Sequence, residues 1–391
     1  MKKDIKIIFH IDLNAFYASC AMIKEPYLKD KVFVVGGSSS TNRGVVSTAS
    51  YKARSYGIHS AMNISDAYER YPKLVIVPTD FALYNEYSNR FFSFLKRYSS
   101  LILAGSIDEA YIDMTERSKN QHPLEIAQEI QKGLLTEYKL PSSIGIAPTL
   151  FLAKMASDMK KPLGITVLRK KDIVKKLFPL PISSMHGIGK KTYPKLIEHG
   201  ISTIGDFARK GNRSRILKVM SEANYYGFLE HIMGKSSDVI DPKKYRIPKS
   251  ISNETTLNYA MDEPDAILSV IENLLETTLD RLIREELVTK TIGIRFRTTG
   301  FETFSRSTSL SEHSDDRALI KEEIEALFDR AYGGEALRLV GVFFNQIMLK
   351  SDLKKDFNLF NYQTMTKREE RLYETVSTLK EKYPNAIKNK G

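Results

Sequence analysis

The sequence predicts a multidomain α+β protein, and three observations carry that expectation. A chain of 391 residues exceeds what one ordinary core holds. Apolar runs ending in acids or glycines alternate with helical patterns over roughly the first 165 residues, the signature of an α/β domain. Across 249–350 a strand, a long helix, two strands, a helix and a strand follow one another, the element order of a ferredoxin-like split βαβ sheet.

Taken in order, residues 5–11 form an apolar run that ends in Asp12, and residues 32–35 form another that ends in Gly36-Gly37. Both predict buried strands. Residues 74–77 and 101–107 repeat the pattern, with helical spacing over 84–97 and 124–138. From about 167 to 233 the chain changes to short helices separated by glycines. Charge changes with it: residues 166–245 hold 16 basic against 7 acidic side chains, net +9. Pro242, Pro248 and the run Asp-Pro-Lys-Lys-Tyr-Arg within 236–248 predict an interdomain linker.

Residues 246–350 carry 13 basic and 18 acidic side chains, net −5. The acids crowd into the helical stretches, whereas Lys249, Lys290, Arg295, Arg297, Arg306 and Arg338 fall in expected strands. Ile292, Ile294 and Phe296 alternate with Gly293, Arg295 and Arg297, so one face of that strand is apolar and the other basic. A basic sheet face backed by acidic helices suits a nucleic-acid backbone; its plainer alternative is a solvated face. The last 41 residues are polar, with one helical stretch near 367–382.

Composition excludes several classes. Cys20 is the only cysteine, so no disulfide framework and no cysteine-based zinc site forms within the chain. Asp4, Lys6 and Asp12 break up the apolar core that a leader would need after Met-Lys-Lys, and no run of 18 apolar residues follows. A cytoplasmic protein is expected. The formal charge of +12 and a pI near 9.3 favour a polyanionic partner.

Two acidic segments stand out, Ile11-Asp12-Leu13 and Ser106-Ile107-Asp108-Glu109-Ala110-Tyr111-Ile112-Asp113. Carboxylates gathered at strand ends repel one another unless a cation neutralises them. Mg²⁺ is the natural choice, because it takes carboxylate oxygen and keeps positions open for phosphate and water. Asp108 and Glu109 are adjacent, so they converge only where the chain turns sharply or one of them reaches round a metal. A second constellation is Thr48-Ala49-Ser50-Tyr51-Lys52-Ala53-Arg54. On a helix Tyr51 and Arg54 share a face and offer a hydroxyl and a guanidinium fork to one anion, with Thr48 nearby and Lys161 able to add a point charge.

Together these segments resemble the Y family of lesion-bypass DNA polymerases. Asp12-Leu13-Asn14-Ala15-Phe16-Tyr17-Ala18-Ser19 resembles the family's first metal motif and Ser106 to Asp113 the second; Thr48 to Arg54 resembles its triphosphate motif, and Met159-Lys160-Lys161-Pro162 with Gly164 its palm lysine segment. The likeness spans about residues 5–350. It implies a right-hand architecture: palm at 1–17 and 73–166, fingers at 18–72, a thumb at 167–233, a linker at 234–248, a little finger at 249–350 and a tail at 351–391. It implies two Mg²⁺ ions on Asp12, Asp108, Glu109 and the Leu13 carbonyl, with Thr48, Tyr51, Arg54 and Lys161 on the triphosphate. Tyr17 falls where the family keeps a bulky aromatic against the sugar, as a steric gate. His186-Gly187-Ile188-Gly189-Lys190-Lys191-Thr192 resembles the hairpin of a helix-hairpin-helix, although a proline is more usual at position 186. Gly187, Gly189, Lys190, Lys249, Arg295, Arg297 and Arg306 are therefore the expected DNA contacts. Asp356-Phe357-Asn358-Leu359-Phe360 resembles a sliding-clamp peptide with Asp in place of the usual Gln; Leu359 and Phe360 are its two apolar anchors. The expected partners are primer-template DNA, a deoxynucleoside triphosphate and the clamp, and the expected state is a monomer.

Three alternatives stay open at this point. A non-catalytic DNA-binding protein would keep the hairpin and basic sheet but has no need of acids at both strand ends. A nucleotide cyclase or RNA polymerase would use the same metal chemistry, against which a bulky Tyr17 argues. Within the family, a catalytic subunit that needs activating partners is the runner-up.

Overall fold

The computed structural model describes residues 5–38, 43–244 and 247–353. The chain forms two compact units that divide between Arg246 and Ile247, inside the Pro-containing segment expected to be a linker.

The first unit begins β1 (Ile8–Leu13), α1 (Phe16–Lys24), β2 (Phe33–Ser38), β3 (Arg43–Ala49), α2 (Tyr51–Ser55), α3 (Ile64–Arg70), β4 (Val75–Val77) and α4 (Phe81–Leu95). It continues with β5 (Ile102–Ala104), β6 (Glu109–Asp113), α5 (Pro123–Tyr138), β7 (Ser142–Ala147), α6 (Leu150–Asp158) and β8 (Ile165–Val167). Four helices close it: α7 (Tyr193–Glu198), α8 (Ile204–Ala208), α9 (Arg213–Ile216) and α10 (Glu222–Ile232).

Its main sheet has the order β5-β6-β1-β7-β8. All of β1 is buried because it lies in the middle of the sheet with layers on both faces, so even its polar residues His10 and Asp12 are enclosed. Phe9, Ile11 and Leu13 enter a core with residues of α1, α4 and α5. Ile8 joins a different core with α6 and the helices that follow β8. His10 and Asp12, two and four residues on, share the face of Ile8. That alternation hands the polar residues of β1 to α6. The run at 101–107 is not one strand: β5 stops at Ala104, residues 105–108 bend, and β6 starts at Glu109. The second sheet has the order β3-β2-β4. β4, which a boundary at residue 73 would assign to the main sheet, pairs instead in parallel with β2.

The second unit contains β9 (Ser250–Met261), α11 (Pro264–Arg284), β10 (Leu287–Thr298), β11 (Thr303–Ser314), α12 (Arg317–Ala331) and β12 (Leu337–Leu349). Its antiparallel sheet has the order β11-β10-β12-β9. β12 separates β9 from β10, and β10 separates β11 from β12, so both βαβ units are split as the element order predicts. Ile292, Ile294 and Phe296 are buried in a core with Ile267, Ile271 and Leu275 of α11 and Ile320 and Ile324 of α12. Arg295 and Arg297 lie on the other face.

Candidate active site

Antiparallel pairing sets Asp12 directly opposite Glu109, so two carboxylates meet at one edge of the main sheet. The bend at 105–108 places Asp108 just before them, where its backbone carbonyl accepts a hydrogen bond from the Leu13 amide at 3.0 Å. The sharp turn needed to bring Asp108 and Glu109 to one locality is therefore present. Ser106 Oγ donates to Asp108 Oδ1 at 2.6 Å.

Two lysines neutralise this edge. Lys154 Nζ on α6 lies 2.6 Å from Glu109 Oε1 and 3.2 Å from Asp12 Oδ2. Lys161 Nζ lies 2.6 Å from Asp12 Oδ2 and 2.7 Å from Asp158 Oδ1. Below them His10 is fully buried, with Nδ1 2.8 Å from Ser157 Oγ and Nε2 3.6 Å from Glu109 Oε2. Lys154 and Ser157 are three residues apart on one face of α6, matching the alternate positions of His10 and Asp12 on β1. Gly145 makes this approach possible: it is the register partner of His10, and a Cβ there would lie 2.0 Å from the Ala153 carbonyl oxygen and 2.4 Å from the Ser157 nitrogen.

Asn14 ties the same end of the sheet together. Fully enclosed, its Nδ2 donates to Ser143 Oγ at 2.9 Å and its Oδ1 accepts from the Leu163 amide at 2.8 Å. The turn that carries Lys161 is thereby fastened to β1 and β7. The sequence reading missed Lys154, His10, Ser157 and Asn14. A legible signal existed for Lys154, a lone lysine in the otherwise apolar run Leu150 to Ala156.

Burial, with Glu109 beside it, pushes Asp12 up to about 6 against the pull of both lysines. Burial also raises Asp108, opposed by the Ser106 hydroxyl. At Glu109 burial opposes ionisation, but His10, Asp12 and Lys154 together hold the carboxyl well below the usual range. Burial lowers His10 to about 4, so the ring is neutral.

The donor set suits a hard cation: three carboxylates and the Leu13 carbonyl at one sheet edge, crowded and desolvated enough to favour added positive charge. Among the described residues no three His, Cys, Asp or Glu side chains already close around one point; the ammonium groups of Lys154 and Lys161 supply the neutralising charge.

Tyr17 stands on the first turn of α1, with its ring stacked on Tyr84 at a centroid distance of 4.1 Å and 16° between planes. Burial and then the charge of Asp108 raise its hydroxyl. Phe16 points into the core. On α2 the Arg54 guanidinium lies 4.9 Å from the Tyr51 ring centre, and its Nε donates to the Ala49 carbonyl at 3.1 Å. Thr48 pairs with Val35 on the neighbouring strand. The Tyr51 hydroxyl is buried and has no hydrogen-bond partner among the described residues; burial raises it, while Arg54 and Lys161 pull it down. Arg54 and Lys161 thus bring positive charge to bear on this hydroxyl, and two cationic donors beside a hydroxyl fit an anion carrying several oxygens.

The hairpin expected near residue 188 is a tight turn in which the Ile188 amide donates to the Met185 carbonyl at 3.0 Å. Gly187 adopts φ +89°, open to glycine at little cost. Ile188 plugs the core, while Gly189 has no atom within 4 Å of where a Cβ would stand and Lys190 is exposed. In the second unit Lys249 is exposed just before β9. Arg295 Nη1 lies 2.9 Å from Glu254 Oε2, and Arg297 Nε donates to Thr303 Oγ1 at 2.8 Å. Arg306 differs from both: it is the register partner of Ile294, so it belongs to the opposite face, on edge strand β11. Leu359 and Phe360 lie outside the described residues. No helix among the described residues is long and apolar enough to cross a membrane.

Comparison with known proteins adds a family. Residues 11–158 match the model of the impB/mucB/samB family, and residues 248–357 match that family's C-terminal domain. The chain is 38% identical over 386 residues to DNA polymerase IV 1 of Bacillus subtilis, covering 99% of this chain and 92% of the relative. To DNA polymerase IV of Clostridioides difficile it is 34% identical, covering 92% and 98%. Among solved structures, a Y-family DNA polymerase chimera of Dbh and Dpo4 aligns with a TM-score of 0.77 at 26% identity, over 88% of this chain and 99% of that one. An insertion ternary complex of Dbh DNA polymerase aligns with a TM-score of 0.64 at 26% identity and the same coverage.

Proposed function

The chain belongs to the impB/mucB/samB family of Y-family DNA polymerases, and from that membership we propose that it is a DNA-directed DNA polymerase that copies damaged templates, adding deoxynucleotides to a primer 3′-hydroxyl and releasing pyrophosphate. The main sheet then serves as palm, the β3-β2-β4 sheet belongs to the fingers, α7 to α10 form the thumb and the second unit is the little finger. The observation that carries the reading is the meeting of Asp12 with Glu109 across β1 and β6, next to Asp108 and within the electrostatic reach of Tyr51 and Lys161.

Each side chain has a task. Asp12, Asp108, Glu109 and the Leu13 carbonyl would hold two Mg²⁺ ions, which when bound acidify the primer hydroxyl and neutralise developing phosphate charge. Tyr51, Arg54 and Lys161 grip the triphosphate, with Thr48 beside them, and orient it for in-line attack. Tyr17 fills the space that a sugar 2′-hydroxyl would need. Lys154 keeps Asp12 and Glu109 paired and stops their mutual repulsion from opening the strand edge. Gly187, Gly189 and Lys190 contact one stretch of DNA backbone, and Lys249, Arg295 and Arg297 another, without reading sequence; Arg306, on the opposite face, does not join them. Contacts of that kind let the enzyme leave DNA readily, so synthesis is of low processivity; Leu359 and Phe360 would dock a sliding clamp to offset this. The enzyme is taken to be a cytoplasmic monomer.

Primer extension with Mg²⁺ tests the core of the reading. Asp108→Ala should lower nucleotide addition by at least about 10³-fold, with duplex affinity retained because the lost group contacts no DNA backbone. Near-normal extension by the purified variant would overturn the assignment.

A further inference from the structure

The first unit carries a second concavity that polymerisation leaves unused. Its volume is about 1370 Å³, and it is lined by the approach to β1, the start of α5, the ends of β7 and β8 and the segment after α10. It opens at the end of the sheet away from the acids: Ile8 pairs with Ala147 at this end and Asp12 with Ser143 at the other, separated by roughly 13 Å of strand.

Floor and rim differ in chemistry. Ile5, Leu124 and Val239 are among its lining residues, and they are 79%, 36% and 64% exposed. Large apolar side chains left in water together mark an interaction surface. Around them stand Lys170, Lys171 and Lys235, which enter none of the ion pairs among the described residues. Lys6 and Arg169 also line it but are held by Asp113 and Asp172, and Asp238 is the one acid of the lining among the described residues.

The occupant follows from that chemistry. The volume is larger than the roughly 300–1000 Å³ of a small-molecule site. Among the described residues no Phe, Tyr or Trp lines it, so bases would find nothing there to stack on. The chain's own tail is disfavoured, because residues 354–391 hold nine Lys and Arg against five Asp and Glu. β8 is the last strand of the sheet, and its Val167 carbonyl is met by the exposed Lys176 ammonium at 2.9 Å instead of by another strand. We propose that this groove docks an acidic, apolar segment of a partner protein, extended along the outer edge of β8 with its apolar side chains on the Leu124–Val239 floor and its carboxylates on Lys170, Lys171 and Lys235.

The test uses the full chain and a short fluorescent peptide of alternating Glu and Leu, read by anisotropy. A matched Lys/Leu peptide and a DNA duplex serve as comparisons. The acidic peptide should bind saturably. Its affinity should fall about tenfold or more in the Lys170→Glu/Lys171→Glu double variant and in Val239→Asp, while primer extension by both variants stays at the wild-type rate and so reports an intact fold. Absence of saturable binding, equal binding of the Lys/Leu peptide, or variants that bind as the wild type does would each overturn the proposal. Displacement of the peptide by duplex DNA, with an equal loss of DNA affinity in the double variant, would make the groove a nucleic-acid surface and overturn it too.

Discussion

Tyr17 lies flat on Tyr84, 4.1 Å between ring centres, and Tyr84 is itself only 1% exposed. A ring backed by a fixed ring cannot swing away from a substrate that crowds it, which is what selection by shape demands. Tyr17→Ala should therefore admit ribonucleotides far more readily while deoxyribonucleotide addition continues at a comparable rate. If Tyr17 served only to pack the core, the cavity would cost about 3–5 kcal/mol and depress both activities together. Values of kcat/KM for matched ribo- and deoxyribonucleotides on wild type and variant separate the two; an unchanged ratio excludes Tyr17 as the gate.

Asp12 gives a pH prediction. Its folded value of about 6 lies above the ordinary aspartate range near 4. A carboxyl raised by folding favours the folded state at low pH and opposes it progressively as pH rises from about 4 through 6. Asp12→Asn cannot ionise, so in metal-free buffer at about pH 7.5 it should melt about 2 °C or more above the wild type, and the gap should close near pH 4. Calorimetry across that range decides; a gap independent of pH would mean that Lys154 and Lys161 keep Asp12 ionised throughout.

DNA affinity should fall steeply with salt, with a log–log slope of roughly −0.9 per phosphate neutralised. Arg295 and Arg297 share one sheet face, and Arg295 already divides its charge with Glu254. Replacing both by Ala should flatten the slope by about one to two units, as read from titrations over a range of salt. An unaltered slope would remove this face from the DNA surface.

Clamp docking is checked at the tail. Substituting Leu359 and Phe360 together by Ala should abolish stimulation by the clamp and leave unassisted synthesis intact. Stimulation that persists would show that these two side chains are not the anchors.

The sequence by itself determined much of this protein. A mainly apolar run ending in Asp12 made β1 a buried strand, because a strand enclosed on both faces needs most of its side chains to be apolar. Alternation along 290–298 fixed which face of β10 carries Arg295 and Arg297, and the spacing of Tyr51 and Arg54 put them on one helical face. Each of these follows from periods of two or 3.6 residues along the chain. What no period reveals is which distant segment comes to lie alongside. Pairing of β1 with β6, the bend after Ala104 and the close seat of α6 on Gly145 were decided only in three dimensions. Those contacts bring Lys154 to Glu109; likewise the β10–β11 register leaves Arg306 on the face opposite Arg295, and parallel pairing with β2 puts β4 in the second sheet. Buried charges are satisfied by whichever partners the packing delivers, and here the sequence separation of those partners reaches 149 residues between Asp12 and Lys161.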